Sequence, residues 1–80
     1  MDYRPDVCAE RDKEKVFAEI EIEKTLHSDH TLGQLSSMYK YVKKSRNYKG
    51  LLVVPRRVVD EAKFLIELVF GDQKIRVEGM

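Results

Sequence analysis

RPDVCAERDKEKVFAEIEIEK (residues 4–24) sets a proline and an aspartate before a short apolar run, then a polar stretch, then glutamates at every second position. Glu19, Glu21 and Glu23 alternate with Ala18, Ile20 and Ile22. Period-two alternation marks a strand with one face toward water. Pro5 fixes the start of a strand from Asp6 to Ala9, the polar run Glu10 to Lys15 turns the chain, and Val16 to Lys24 returns. The two strands make a β-hairpin.

Beyond the hairpin, Thr25 to His30 reads as a loop, and Thr31 followed by Gln34 forms a capping-box pattern that starts a helix near Leu32. Leu35, Met38 or Tyr39, and Val42 recur at helical spacing, which leaves Lys40, Lys43 and Lys44 on the other side. Asn47 to Gly50 breaks that helix, and the unbroken apolar run Leu51 to Val54 predicts an interior strand covered on both faces. Pro55 ends the strand. Val58, Ala62, Leu65, Ile66 and Val69 mark a second amphipathic helix that stops before Gly71, and Gln73 to Val77 predicts a closing strand. The order is ββαβαβ in one domain over residues 1–80: an α/β fold, a mixed sheet with helical cover.

Eighty residues with one cysteine exclude an intramolecular disulfide and a cysteine-based zinc site, and imply a reducing compartment. No apolar run approaches the roughly 20 residues of a membrane span. The expectation is a cytoplasmic protein with no membrane partner and no small-molecule cofactor. The net charge of +1 conceals a marked segregation: residues 30–59 hold no acid and seven Lys or Arg. Such a segment suits a polyanion, although a cluster of lysines is also an ordinary solvated helix face.

Residues i and i+2 of a strand lie on one face about 6.6 Å apart. Glu21 and Glu23 are therefore expected on one side, with Asp6 across the hairpin. Carboxylates gathered without neutralising partners repel unless a cation joins them, and Mg²⁺ or Mn²⁺ prefers such hard oxygen donors. The simpler reading is a solvated hairpin face. The basic stretch YKYVKKSRNYK (39–49), with Lys40, Lys43, Lys44, Arg46 and Lys49, is the candidate surface for nucleic-acid phosphates.

In this order the motifs resemble those of the PD-(D/E)xK nuclease superfamily, the restriction-endonuclease-like fold. Pro5-Asp6 stands at the PD, and Glu21-Ile22-Glu23 at the (D/E)xK, with Glu23 in the lysine position. Gln34 matches a glutamine of RecB-like, Mrr-like and archaeal mismatch-endonuclease relatives, and GQLSSMYKYV (33–42) and GLLVVP (50–55) look like their helix and third core strand. The resemblance implies a minimal nuclease core. Asp6, Glu21 and the Ile22 carbonyl would hold Mg²⁺ or Mn²⁺, Glu23 would hold the attacking water, and Gln34 would steady the water or the scissile phosphate. The family places a helix before the first of these strands, and only residues 1–4 stand there.

Two functions are expected from this reading. One is a divalent-metal-dependent DNA endonuclease. The other is a non-catalytic nucleic-acid-binding or assembly module on the same fold, with its acids serving solubility. The segment FLIELVF (64–70) is apolar on more than one side, which predicts a homodimer. Loop residues His27 and His30 lie close to the acids but outside the expected core site.

Overall fold

A computed structural model describes residues 4–71 and 74–80. The hairpin forms from β1 (Val7–Arg11) and β2 (Glu14–Ile20), antiparallel, with Arg11 paired to Glu14. Only Asp12 and Lys13 make the turn, and Asp12 takes φ 56°. Two-residue hairpin loops need positive φ to match the strand twist, and aspartate tolerates it. The turn is thus shorter than the expected Glu10 to Lys15, and both strands extend into it. At its far end β2 stops at Ile20 rather than Lys24. A tight loop follows, in which the Thr25 hydroxyl donates to the Glu21 carboxylate and the Ile22 carbonyl.

Helix α1 (Asp29–Val42) begins ahead of the expected Leu32. Its N-cap is Ser28, whose Oγ accepts from the Thr31 N–H at 3.1 Å and so satisfies one of the unpaired first-turn donors. Thr31 is fully buried in the first turn rather than capping, and Gln34 lies half-buried in the second turn. The capping-box reading of Thr31 and Gln34 is therefore corrected. Leu35, Met38 and Val42 form the buried stripe as expected.

Strand β3 (Tyr48–Val54) pairs parallel with β2, and β4 (Ile75–Gly79) pairs parallel with β3. The four strands lie in chain order, β1-β2-β3-β4. Between β3 and β4 stand a 3₁₀ turn (Arg56–Val58) and helix α2 (Val59–Phe70). Gly71 closes α2 with φ 72°, its N–H bonded to the Glu67 carbonyl at 2.9 Å. This left-handed cap favours glycine. β4 starts later than expected, and Gln73 lies outside the described residues.

Two glycines locate the helices. A Cβ on Gly50 would stand 2.6 Å from the Met38 Sδ of α1, and one on Gly79 2.9 Å from the Val59 Cγ2 of α2. Gly79 pairs with Val54, which shares a sheet face with Gly50. Both helices consequently cover the same face, where Tyr39 of α1 stacks on Phe70 of α2 at 4.7 Å between ring centroids. Parallel crossovers are right-handed, so two that step the same way across a sheet land on one side. The core lies between the layers: Phe17, Leu52, Val54 and Ile75 from the sheet against Leu35, Met38, Val42, Val58, Ala62 and Ile66.

The opposite sheet face carries no helix among the described residues, and Leu51 and Val53 on it are half-buried. Cover of this strand on both faces is thus corrected to cover on one. On α2, Ala62 and Ile66 are buried, whereas Val69, expected in the stripe, is 47% exposed. Phe64 and Leu68, one turn apart, are 67% and 71% exposed.

Candidate functional site

The hairpin register decides which acids can meet. Val7 pairs with Ala18, so one step further Asp6 faces Glu19. The Asp6 carboxylate accepts from the Ile20 N–H at 2.9 Å, which ties the residue after Pro5 to the end of β2. Glu19 is fully buried on the helix-covered side of the sheet. Glu21 follows two residues on, just past the end of β2. Its N–H donates to the Val53 carbonyl at 2.9 Å, and its Oε2 accepts from the Thr25 hydroxyl at 2.8 Å. With 9% of its surface exposed, Glu21 is held in place from two directions.

Glu23 stands apart from them. Because β2 ends at Ile20, strand periodicity no longer carries Glu23 to the side of Glu21. Its Oε2 instead accepts from Arg57, at 2.8 Å from Nη2 and 3.3 Å from Nε. That hydrogen bond and the guanidinium charge hold the Glu23 carboxyl below the usual carboxylate range. Ile22 is exposed in the loop, its carbonyl taken by Thr25 through both the hydroxyl and the N–H. His27 reaches Glu61 at 3.0 Å. His30 is exposed in the first turn of α1.

All these groups belong to the carboxyl ends of the parallel strands, the side of an open α/β sheet where ligands bind. Three hard-oxygen donors, Asp6, Glu19 and Glu21, belong to this one corner, which is the right chemistry for Mg²⁺ or Mn²⁺. Among the described residues, however, no three histidine, cysteine, aspartate or glutamate side chains are gathered as ligands for a metal ion.

The cations of the candidate phosphate surface lie elsewhere. α1 runs away from the acidic corner, and its 14 residues span about 21 Å. Lys43 and Lys44 follow its last turn, with Nζ 5.1 Å and 4.5 Å from the ring centroids of Tyr39 and Tyr41. Each ammonium thus sits over an aromatic ring, which orients it and contributes about 0.5–1 kcal/mol. Lys40 is exposed one turn earlier. Arg46 and Lys49 line a small concavity with Lys74 and Arg76, which residue spacing in the sequence did not bring forward. From Lys49 to the Val53 carbonyl that holds Glu21 is about 13 Å along β3. The candidate acids Asp6, Glu19 and Glu21 and these cations therefore occupy opposite ends of the sheet.

Comparison with protein-family models, with curated proteins and with solved structures gives no match. No helix among the described residues is long and apolar enough to cross a membrane.

Proposed function

We propose that this chain is a divalent-metal-dependent endonuclease core that hydrolyses DNA phosphodiester bonds, with Asp6, Glu19 and Glu21 as its acid set. The observation that carries this reading is the hairpin register, which faces Asp6 with Glu19 and puts Glu21 next beyond it. Glu19-Ile20-Glu21 then takes the place expected for Glu21-Ile22-Glu23. Asp6, Glu19 and Glu21 are the carboxylates that would hold a divalent ion, which would supply charge stabilisation for a phosphodiester and lower the pKa of a water. The chain's own residues prepare the corner. Thr25 fixes the rotamer of Glu21, the β2–β3 ladder fixes its backbone, and the Ile20 N–H orients Asp6. Gln34, half-buried in the second turn of α1, keeps in this reading the role of steadying the water or the scissile phosphate.

A non-catalytic nucleic-acid-binding module is the second reading. It is favoured by the Arg57–Glu23 pair, which leaves the expected third acid neutralised, and by the placement of the cations far from the acids. Plasmid nicking separates the two. A nuclease cuts supercoiled DNA only with Mg²⁺ or Mn²⁺ and stops cutting in Asp6→Asn and Glu21→Gln, while Glu23→Gln keeps activity. Intact plasmid with every divalent ion, from a folded protein that still binds DNA, overturns the enzyme and leaves the binder.

A further inference from the structure

The four cations at the other end of the sheet are arranged more tightly than a solvated surface requires. Arg46 comes from the loop after α1, Lys49 from β3, and Lys74 and Arg76 from the approach to β4 and its second residue, and together they line one concavity. Among the described residues no carboxylate lines it. Like charges from separate segments brought together repel, and an anion between them removes that cost. Among the described residues, Lys49 and Arg76 have only long contacts with acids, at 3.9 Å to Glu14 and 3.5 Å to Glu78, and all four of those side chains are more than half exposed. Pairs of this kind contribute little and yield readily to a stronger anion.

Lys74 supplies the fixed point of the group. Its ammonium donates to the Ser45 carbonyl at 3.2 Å and lies 3.5 Å from that of Tyr48, and its own carbonyl accepts from the Gly50 N–H at 3.0 Å. The positive charge is thus anchored to the backbone of the loop that carries Arg46. The concavity, about 230 Å³, is smaller than the roughly 300–1,000 Å³ of sites for drug-sized ligands. A single tetrahedral oxyanion suits it better than a nucleoside or a larger cofactor. Two and three residues before Arg46 in the chain, Lys44 and Lys43 add further cations, their ammonium groups over the rings of Tyr41 and Tyr39. One pocket accompanied by further cations and aromatic rings fits a polymer of phosphates better than an isolated ion.

We propose that Arg46, Lys49, Lys74 and Arg76 form a phosphate-binding pocket that seats one backbone phosphate of a nucleic-acid strand, independently of the acidic corner. It needs neither a divalent ion nor hydrolysis, so it stands or falls apart from the nuclease reading.

The test is fluorescence anisotropy of a labelled single-stranded oligonucleotide with EDTA present, across a salt series. Arg46→Gln combined with Arg76→Gln removes two exposed charges and spares Lys74, whose loss risks the loop. The expected result is weaker binding to every sequence and a log–log salt slope shallower by about two. The charge-matched pair Lys24→Gln and Lys63→Gln, outside the pocket, should keep the parent's slope. Equal losses from both pairs overturn the pocket, because net charge alone then explains binding. In a second arm, backbone amide shifts of residues 45–50 and 74–76 are followed by NMR during titration with inorganic phosphate and then with the oligonucleotide. Saturable shifts with both support the proposal. Shifts with phosphate alone, or tighter binding to vesicles containing anionic lipid than to the oligonucleotide, overturn the nucleic-acid strand as its occupant.

Discussion

Arg57 holds Glu23 through two hydrogen bonds to a single carboxylate oxygen, joining the loop after β2 to the 3₁₀ turn after β3. The pKa of Glu23 is lowered in the fold, so the pair adds stability above the unfolded pKa, and that stability is lost as pH falls through the lower folded value. The window lies just below the ordinary glutamate value of about 4.3. Arg57→Gln should therefore melt slightly below the parent at neutral pH and low salt, with the gap closing on acidification below pH 4 or in molar salt. NMR titration of Glu23 in the variant should return its pKa to the ordinary range. An unchanged titration would remove Arg57 as the cause.

Gly50 should not tolerate a side chain. The added methyl of Gly50→Ala meets Met38 Sδ and Ile75 Cγ1, and Met38 is fully buried with little room to swing. Overpacking of this kind costs about 1–3 kcal/mol. Urea unfolding gives the figure directly. A loss well under 1 kcal/mol would mean that α1 can lift from β3 at small cost.

Phe64 and Leu68 project together from α2 into solvent, an exposed apolar pair one turn apart. If they form a two-fold contact, light scattering at micromolar concentration reports about twice the 9.4 kDa chain mass. Phe64→Ser with Leu68→Ser should then return the protein to one chain mass while keeping its circular dichroism. A monomeric parent rules out the dimer.

Much of the fold was legible because its signals are local. The apolar spacing of Leu35, Met38 and Val42 and of Ala62 and Ile66, and the alternation at Ile75 and Val77, each name an element without reference to anything distant. Boundaries depended on single hydrogen bonds, such as Ser28 to Thr31, that composition does not rank. Which face of β3 stays bare was not legible, since Leu51 to Val54 is apolar throughout and only crossover handedness separates its sides. In the acidic corner, Asp6 and Glu21 were named from the sequence and Glu19 was passed over. Counting outward from a turn centred on Asp12 and Lys13 brings Asp6 against Glu19, and that signal was present. Arg57 as the partner of Glu23, and Lys74 and Arg76 beside Arg46 and Lys49, are meetings across 25 residues or more of chain, which no spacing rule reaches.

The strand order β1-β2-β3-β4 has a consequence for biosynthesis. Each strand joins the edge left by the one made just before it, so the sheet can grow in step with translation and never needs to admit a strand between two already paired. The hairpin closes across two residues, whereas β3 must wait for α1 and β4 for α2. Short loops close first and longer crossovers later. Ribosome-bound chains released after residue 54 should already protect the β2–β3 amides from exchange, with the β3 amides that β4 will engage still open. The emerging protein then presents a fresh unpaired edge at every stage, and β4, added last, inherits it.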